Sequence, residues 1–114
     1  MSGARRRLGA AGESAAAAWY VAHGYELLDR NWRCAAGEID LVLRKGTTLV
    51  ICEVKTRSTL AYGCPAEAVT PAKRVRLRRL AASWLATHRQ HAPTVRFDVA
   101  SVVDSHVEVL ADAW

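Results

Sequence analysis

The sequence predicts an α/β domain with a mixed central sheet flanked by helices, in the order α-β-β-β-α-β-β. Three observations carry this prediction. An Ala-rich segment ends at a glycine, as a helix would. The stretch "GEIDLVLRKGTTLVICEVKTR" (37–57) is two runs of apolar and β-branched residues around a short turn. A second helix-like segment then precedes two more strand-like runs, an alternation that places helices against a sheet.

Taken in order, "GAAGESAAAAWYVAH" (9–23) is the first helix, stopped by Gly24. "YELLDRNWR" (25–33) is the first strand, "EIDLVLR" (38–44) the second and "TLVICEVKTR" (48–57) the third. A Gly- and Pro-containing loop, "STLAYGCPAEAV", follows. Thr70-Pro71 sets a capping hydroxyl directly before a proline at the first helical position. In the helix that begins there, Leu77, Leu80, Ala81, Trp84 and Leu85 form an apolar stripe, and Pro93 lies beyond its end. "TVRFDVASVV" (94–103) and "HVEVLA" (106–111), joined by Asp104-Ser105, complete the sheet. A chain of 114 residues supports one core, so residues 1–114 form one domain, with 1–7 expected as a flexible basic N-terminus.

Composition narrows the function class. Cys34, Cys52 and Cys64 are odd in number and include no CxxC pair, which argues against a disulfide framework or zinc knuckle. No apolar run approaches the ~20 residues of a membrane span, and Gly9, Gly12 and Glu13 interrupt any leader-like segment. A cytoplasmic protein with no membrane partner is expected. The net charge of +5 and pI near 9.6 suit a polyanion such as nucleic acid. The abundance of Arg and Ala is also what GC-rich coding DNA would produce.

The central hairpin carries the chemistry. With Gly46-Thr47 as a two-residue type II′ turn, Lys45 pairs with Thr48. Counting back along both strands then sets Asp40 opposite Glu53, with Cβ atoms roughly 4.5–5.5 Å apart. Lys55 shares that face about 7 Å from Glu53. Two carboxylates this close resist joint ionisation unless a cation lies between them. Oxygen-only donors suit a hard cation, and a neighbouring lysine can orient or deprotonate water, the components of metal-assisted phosphodiester hydrolysis. The alternative is a salt-bridge ladder on an exposed sheet face. In the same register Glu38 shares the Asp40 face and is expected to pair with Lys55.

With Gly12-Glu13 and Ala16, Gly24-Tyr25, Asn31-Trp32-Arg33, Gly37-Glu38-Ile39-Asp40-Leu41, Glu53-Val54-Lys55-Thr56-Arg57, Gly63, Pro65, Ala68-Val69, Lys73 and Arg96-Phe97-Asp98-Val99 in order, the chain resembles the YraN family of small bacterial proteins. That resemblance implies a restriction-endonuclease-like fold within the PD-(D/E)XK nuclease superfamily, which includes archaeal Holliday junction resolvases. It implies Asp40 and Glu53 as metal ligands, with the Val54 carbonyl as a further ligand and Glu13 acting indirectly. Lys55 would be the catalytic lysine, the metal Mg or Mn and the substrate DNA, with branched or otherwise structured DNA suggested by the resolvases. Resolvases are dimers, so a homodimer is an expectation, although no interface is legible.

Lys73, Arg74, Arg76, Arg78 and Arg79 crowd the start of the second helix, where the dipole disfavours cations, so an anionic partner is expected there. Arg33, Thr56 and Arg57 are further candidates for phosphate contact. Trp32 suits either base stacking or the core. Arg96 and Asp98 alternate with apolar residues and are expected as an exposed pair. Two other readings stand beside the nuclease: a nucleic-acid-binding module without turnover, and a scaffold in a repair or replication assembly.

Overall fold

The computed structural model describes residues 2–57 and 69–114, with side chains from residue 9 onward. The predicted Gly/Pro loop falls mostly outside them. The Ala-rich segment is helix α1 (Ser2–Ala22). Its backbone is helical well before the predicted start at Gly9, including residues 2–7 of the segment expected as a flexible tail. Residues 4–8 are Ala, Arg and Leu, all strong helix formers. Gly24, at φ 89°, provides the left-handed stop.

Five strands follow: β1 (Glu26–Cys34), β2 (Gly37–Lys45), β3 (Thr48–Arg57), then helix α2 (Pro71–Thr87), β4 (Thr94–Val103) and β5 (His106–Leu110). They form one sheet in sequence order, antiparallel except for the β3–β4 pair. A parallel pair needs a long crossover, and α2 lies within it. Thr70 caps α2 through Oγ1, which accepts from the Lys73 N–H at 3.2 Å, and Pro71 opens the helix as predicted.

The sheet is covered on both faces. On one, Ala16, Ala17 and Tyr20 of α1 pack over Leu41, Leu43, Val50, Cys52, Ala100 and Val102. On the other, the α2 stripe of Leu77, Leu80, Ala81 and Trp84 packs over Ile39, Val42, Leu49, Ile51, Phe97 and Val99. Central β3 therefore has Leu49, Val50, Ile51 and Cys52 all sealed from solvent, the pattern of a strand buried on both sides. Full burial of such a Leu, Ile or Val side chain contributes about 1.5–3 kcal/mol.

Arg96 and Asp98 depart from the exposed pair expected. Asp98 is completely buried, and Arg96 grips it with Nε and Nη2, both at 2.8 Å. Tyr20 Oη donates to Asp98 Oδ2 at 2.7 Å and the Asp112 N–H to Oδ1 at 3.0 Å. Alternation within β4 could not reveal this, because α1 covers one sheet face there and the C-terminal residues fold back beside the other.

Candidate active site

The hairpin forms in the predicted register. Lys45 pairs with Thr48 across Gly46, whose φ of 60° fits the first position of a type II′ turn. The β2–β3 ladder continues to Leu41 opposite Cys52, one step short of Asp40 and Glu53. On the other side of β2, pairing passes from Arg30–Leu41 to Trp32–Ile39 and skips Asn31 opposite Asp40. Asn31 has φ 54°, a left-handed conformation that Asn tolerates better than most residues. Asp40 therefore has no registered strand partner on either side.

The gap has a packing signature. Ile39 joins the α2-side core and Leu41 the α1-side core, although residues two apart in a regular strand share a face. β2 changes face at Asp40. The freed N–H of Val54 donates to Asp40 Oδ2 at 2.8 Å, which replaces the missing ladder bond with a carboxylate.

Around that gap, one carboxylate oxygen each from Glu13, Glu38 and Asp40 lies within 4.8 Å of the others. Glu13 is brought in by α1. The helix can approach β3 because Gly12 lies against Thr56, where a Cβ would collide with the threonine side chain. Glu13 is 3.8 Å from Arg30 Nε, and Arg30 is tied to the Ala10 carbonyl by Nη2 at 2.9 Å. Glu38 accepts from Arg33 Nε at 2.7 Å. Its expected partnership with Lys55 is thus replaced, because the change of face at Asp40 breaks the parity on which it rested.

Glu53 lies outside that cluster of oxygens. Only 8% exposed, it has Lys73 Nζ at 2.6 Å and Lys55 Nζ at 3.6 Å, both on Oε1. Lys73 is the residue whose place was missed. Expected among the phosphate-contacting residues, it reaches from the first turn of α2 to Glu53. Its position in the first turn after the Thr70-Pro71 cap was legible, but the side of the sheet on which the helix lands was not.

Burial, then the charge of Glu53, pushes Asp40 up to about 7, against the pull of the Val54 hydrogen bond. Glu13 and Glu38 push in the same direction. Burial lowers Lys55, reinforced by its contact with Lys73, while Glu53 opposes the shift. Burial would lower Lys73 too, but its hydrogen bond and charge interaction with Glu53 outweigh that and raise it. Asp40 thus resists ionisation beside the other carboxylates, and a cation among them would relieve that repulsion. The all-oxygen chemistry of Glu13, Glu38 and Asp40 fits a hard divalent ion.

Two clefts meet at Glu38. One, of about 210 Å³, is lined by Glu38, Asp40, Glu53, Lys73, Arg76 and two leucines of α2. The other, of about 490 Å³, lies on the α1 side against Gly9, Ala10, Glu13, Asn31, Arg33 and Glu38. Of the basic residues predicted to meet nucleic acid, Lys73, Arg76 and Arg33 thus border the site. Thr56 and Arg57 line a smaller cleft beside Gly12. Arg74 donates to the Val69 carbonyl at 3.2 Å, Arg78 lies 5.0 Å over the Phe97 ring, and Arg79 is exposed. Trp32 is half-buried and packs on the α2-side core.

A five-stranded mixed sheet between two helices, with acidic residues gathered where its central hairpin opens, makes this an α/β domain consistent with the restriction-endonuclease-like fold. The chain belongs to the UPF0102 (YraN) family: the model described as "Uncharacterised protein family UPF0102" matches residues 12–102. It is 58% identical over 100 residues to a "UPF0102 protein" of Beutenbergia cavernae, covering 88% of this chain and 85% of that protein. It is 54% identical to a "UPF0102 protein" of a Nocardioides species over 87% of this chain and 80% of that one. To one from Frankia casuarinae it is 56% identical, over 87% and 84%. Among the described residues no helix is long and apolar enough to cross a membrane.

Proposed function

We propose that this protein is a divalent-metal-dependent nuclease acting on DNA in the cytoplasm. The observation that carries the reading is the opening of β2 at Asp40. It gathers three carboxylates beside a Glu53-Val54-Lys55 strand and two basic side chains of α2. Asp40 would hold the ion with Glu13 and Glu38, and Glu53 would join once released from its lysines. The Val54 N–H faces Asp40, and in a strand the carbonyl of the same residue points to that side, which supports the Val54 carbonyl as a further donor. Mg²⁺ or Mn²⁺ bound there would neutralise phosphate charge and acidify water.

The chain's own residues supply the rest. Lys55, lowered by burial, is suited to take a proton at Nζ from an attacking water. Arg76 would hold a non-bridging phosphate oxygen in the 210 Å³ cleft. Arg33, with Glu38, borders the second cleft, through which a continuing strand can run. Arg74, Arg78 and Arg79 extend the positive surface along α2 for sequence-independent phosphate contact.

The test is incubation of the purified protein with labelled linear, flapped and four-way DNA in Mn²⁺. Metal-dependent cutting that chelation stops, and that Asp40→Asn lacks, is the expected result. A second reading, a nucleic-acid-binding module without turnover, is favoured by one observation: Glu53 is already held by Lys73 at 2.6 Å, with Lys55 approaching at 3.6 Å. Salt-sensitive DNA binding with no cleavage by wild-type protein would select it.

A further inference from the structure

We propose that Lys73 is a stand-in for the divalent cation: it neutralises Glu53, and a divalent ion that takes up this carboxylate would displace it and free its ammonium for the phosphate. This rests on the metal-site reading above and adds a displaceable residue to it. Glu53 is nearly buried, and a buried carboxylate with no cation beside it is costly. Two lysines reach the same oxygen, but at 2.6 Å against 3.6 Å Lys73 holds it and Lys55 only approaches.

The surroundings fit an exchange. Glu53 is the one acidic residue of the 210 Å³ cleft left out of the oxygen cluster formed by Glu13, Glu38 and Asp40. The backbone of Lys73 is pinned by the Thr70 cap at 3.2 Å, so release needs motion of only its flexible four-carbon stem. A cation in the first turn of a helix lies against the dipole, so its place there is set by the anion it meets. Once off Glu53, Nζ remains in a cleft that Arg76 also lines. Lys73 neutralises Glu53; an ion bound to that carboxylate would do this in its place, and Lys73 would turn to the substrate.

An ion that must displace Lys73 binds more tightly when the lysine is absent and more weakly when its grip is strengthened. Mn²⁺ titrations of the full chain by calorimetry test both directions. Lys73→Met should lower Kd by roughly 5- to 10-fold, the ratio that corresponds to about 1–1.4 kcal/mol. Lys73→Arg, able to hold Glu53 through two N–H groups, should raise Kd. Arg76→Ala removes the same charge from the same cleft without touching Glu53, and should change Kd by less than Lys73→Met does. In a Glu53→Gln background the effect of Lys73→Met should vanish. DNA affinity in the presence of metal should fall in Lys73→Met, opposite in sign to its metal affinity. An unchanged or higher Kd in Lys73→Met overturns the proposal, and if that variant does not fold, an unchanged or lower Kd in Lys73→Arg does so. Wild-type cleavage with no gain in metal affinity leaves the nuclease reading intact and removes this one. Tighter metal binding in Lys73→Met with no cleavage by any variant does the reverse.

Discussion

The backbone N–H of Val54 donates to Asp40 Oδ2 across 2.8 Å, which ties the carboxylate of one strand to the Glu-x-Lys segment of the next. That bond closes the gap in which the candidate site lies. It also offsets part of the cost of holding a partly buried carboxylate against three others.

The first prediction concerns pH. Asp40 is raised from 3.8 to about 7, so between these values the folded state binds the proton more strongly than the unfolded chain. Its contribution favours folding below about pH 4 and is lost progressively as pH rises through 7. At about 1.4 kcal/mol per pKa unit, the penalty above pH 7 has an upper bound of ~4 kcal/mol, reduced by water reaching the cleft. Asp40→Asn keeps an oxygen for the Val54 N–H and removes the charge. In chelator at pH 8 it should melt above wild type, and the difference should shrink toward pH 4. An equal or lower melting temperature at pH 8 would show that Asp40 carries no such strain.

Lys55→Ala should leave metal binding in place. An ion that binds only the folded chain stabilises it by about 2.7 kcal/mol at 100 times Kd. The Mn²⁺-induced rise in melting temperature should therefore survive this substitution while cleavage is lost. Equal cutting by wild type and variant would assign the activity to a contaminant.

Gly12→Ala should destabilise the fold and loosen the site together. The added Cβ meets the Thr56 hydroxyl, and Thr56 Cβ and Cγ2 at 2.9 Å, so α1 must move away from β3. Overpacking of this kind costs about 1–3 kcal/mol. Since Glu13 follows directly, metal affinity should fall too. Thr56→Ala removes two of the three clashing atoms, so the double variant should recover part of both losses in urea denaturation and metal titration. Additive losses would mean that the two residues do not press on each other.

Asp98→Ala should be among the most damaging single changes. It leaves the Arg96 guanidinium, the Tyr20 hydroxyl and the Asp112 N–H without their common acceptor. Breaking a buried pair by removing one partner costs about 3–5 kcal/mol. Urea denaturation should place Asp98→Asn between this variant and wild type, since Asn retains an acceptor oxygen. A loss below 1 kcal/mol for Asp98→Ala would show that water replaces the carboxylate.

The elements and the hairpin follow from the pattern of residues along the chain. The apolar and β-branched runs of β3 and β4 define strands without tertiary help, and Thr70-Pro71 starts α2 through bonds within one turn. Gly46 sets the register that brings Asp40 and Glu53 toward each other, since a two-residue turn leaves little freedom in pairing. These are local relations, set by backbone geometry over a few residues. Which carboxylates bring their oxygens together and which are held by lysines depends on tertiary packing. Glu38 leaves Lys55 for Arg33 because β2 changes face at Asp40, opposite the left-handed Asn31. Lys73 reaches Glu53 because the stripe of Leu77, Leu80 and Trp84 seats α2 over that end of the sheet. Asp98, polar in an alternating strand, is sealed in by Tyr20 from a helix 78 residues away in sequence. Such contacts depend on how separate elements pack, and the periodicity within any one element does not encode them.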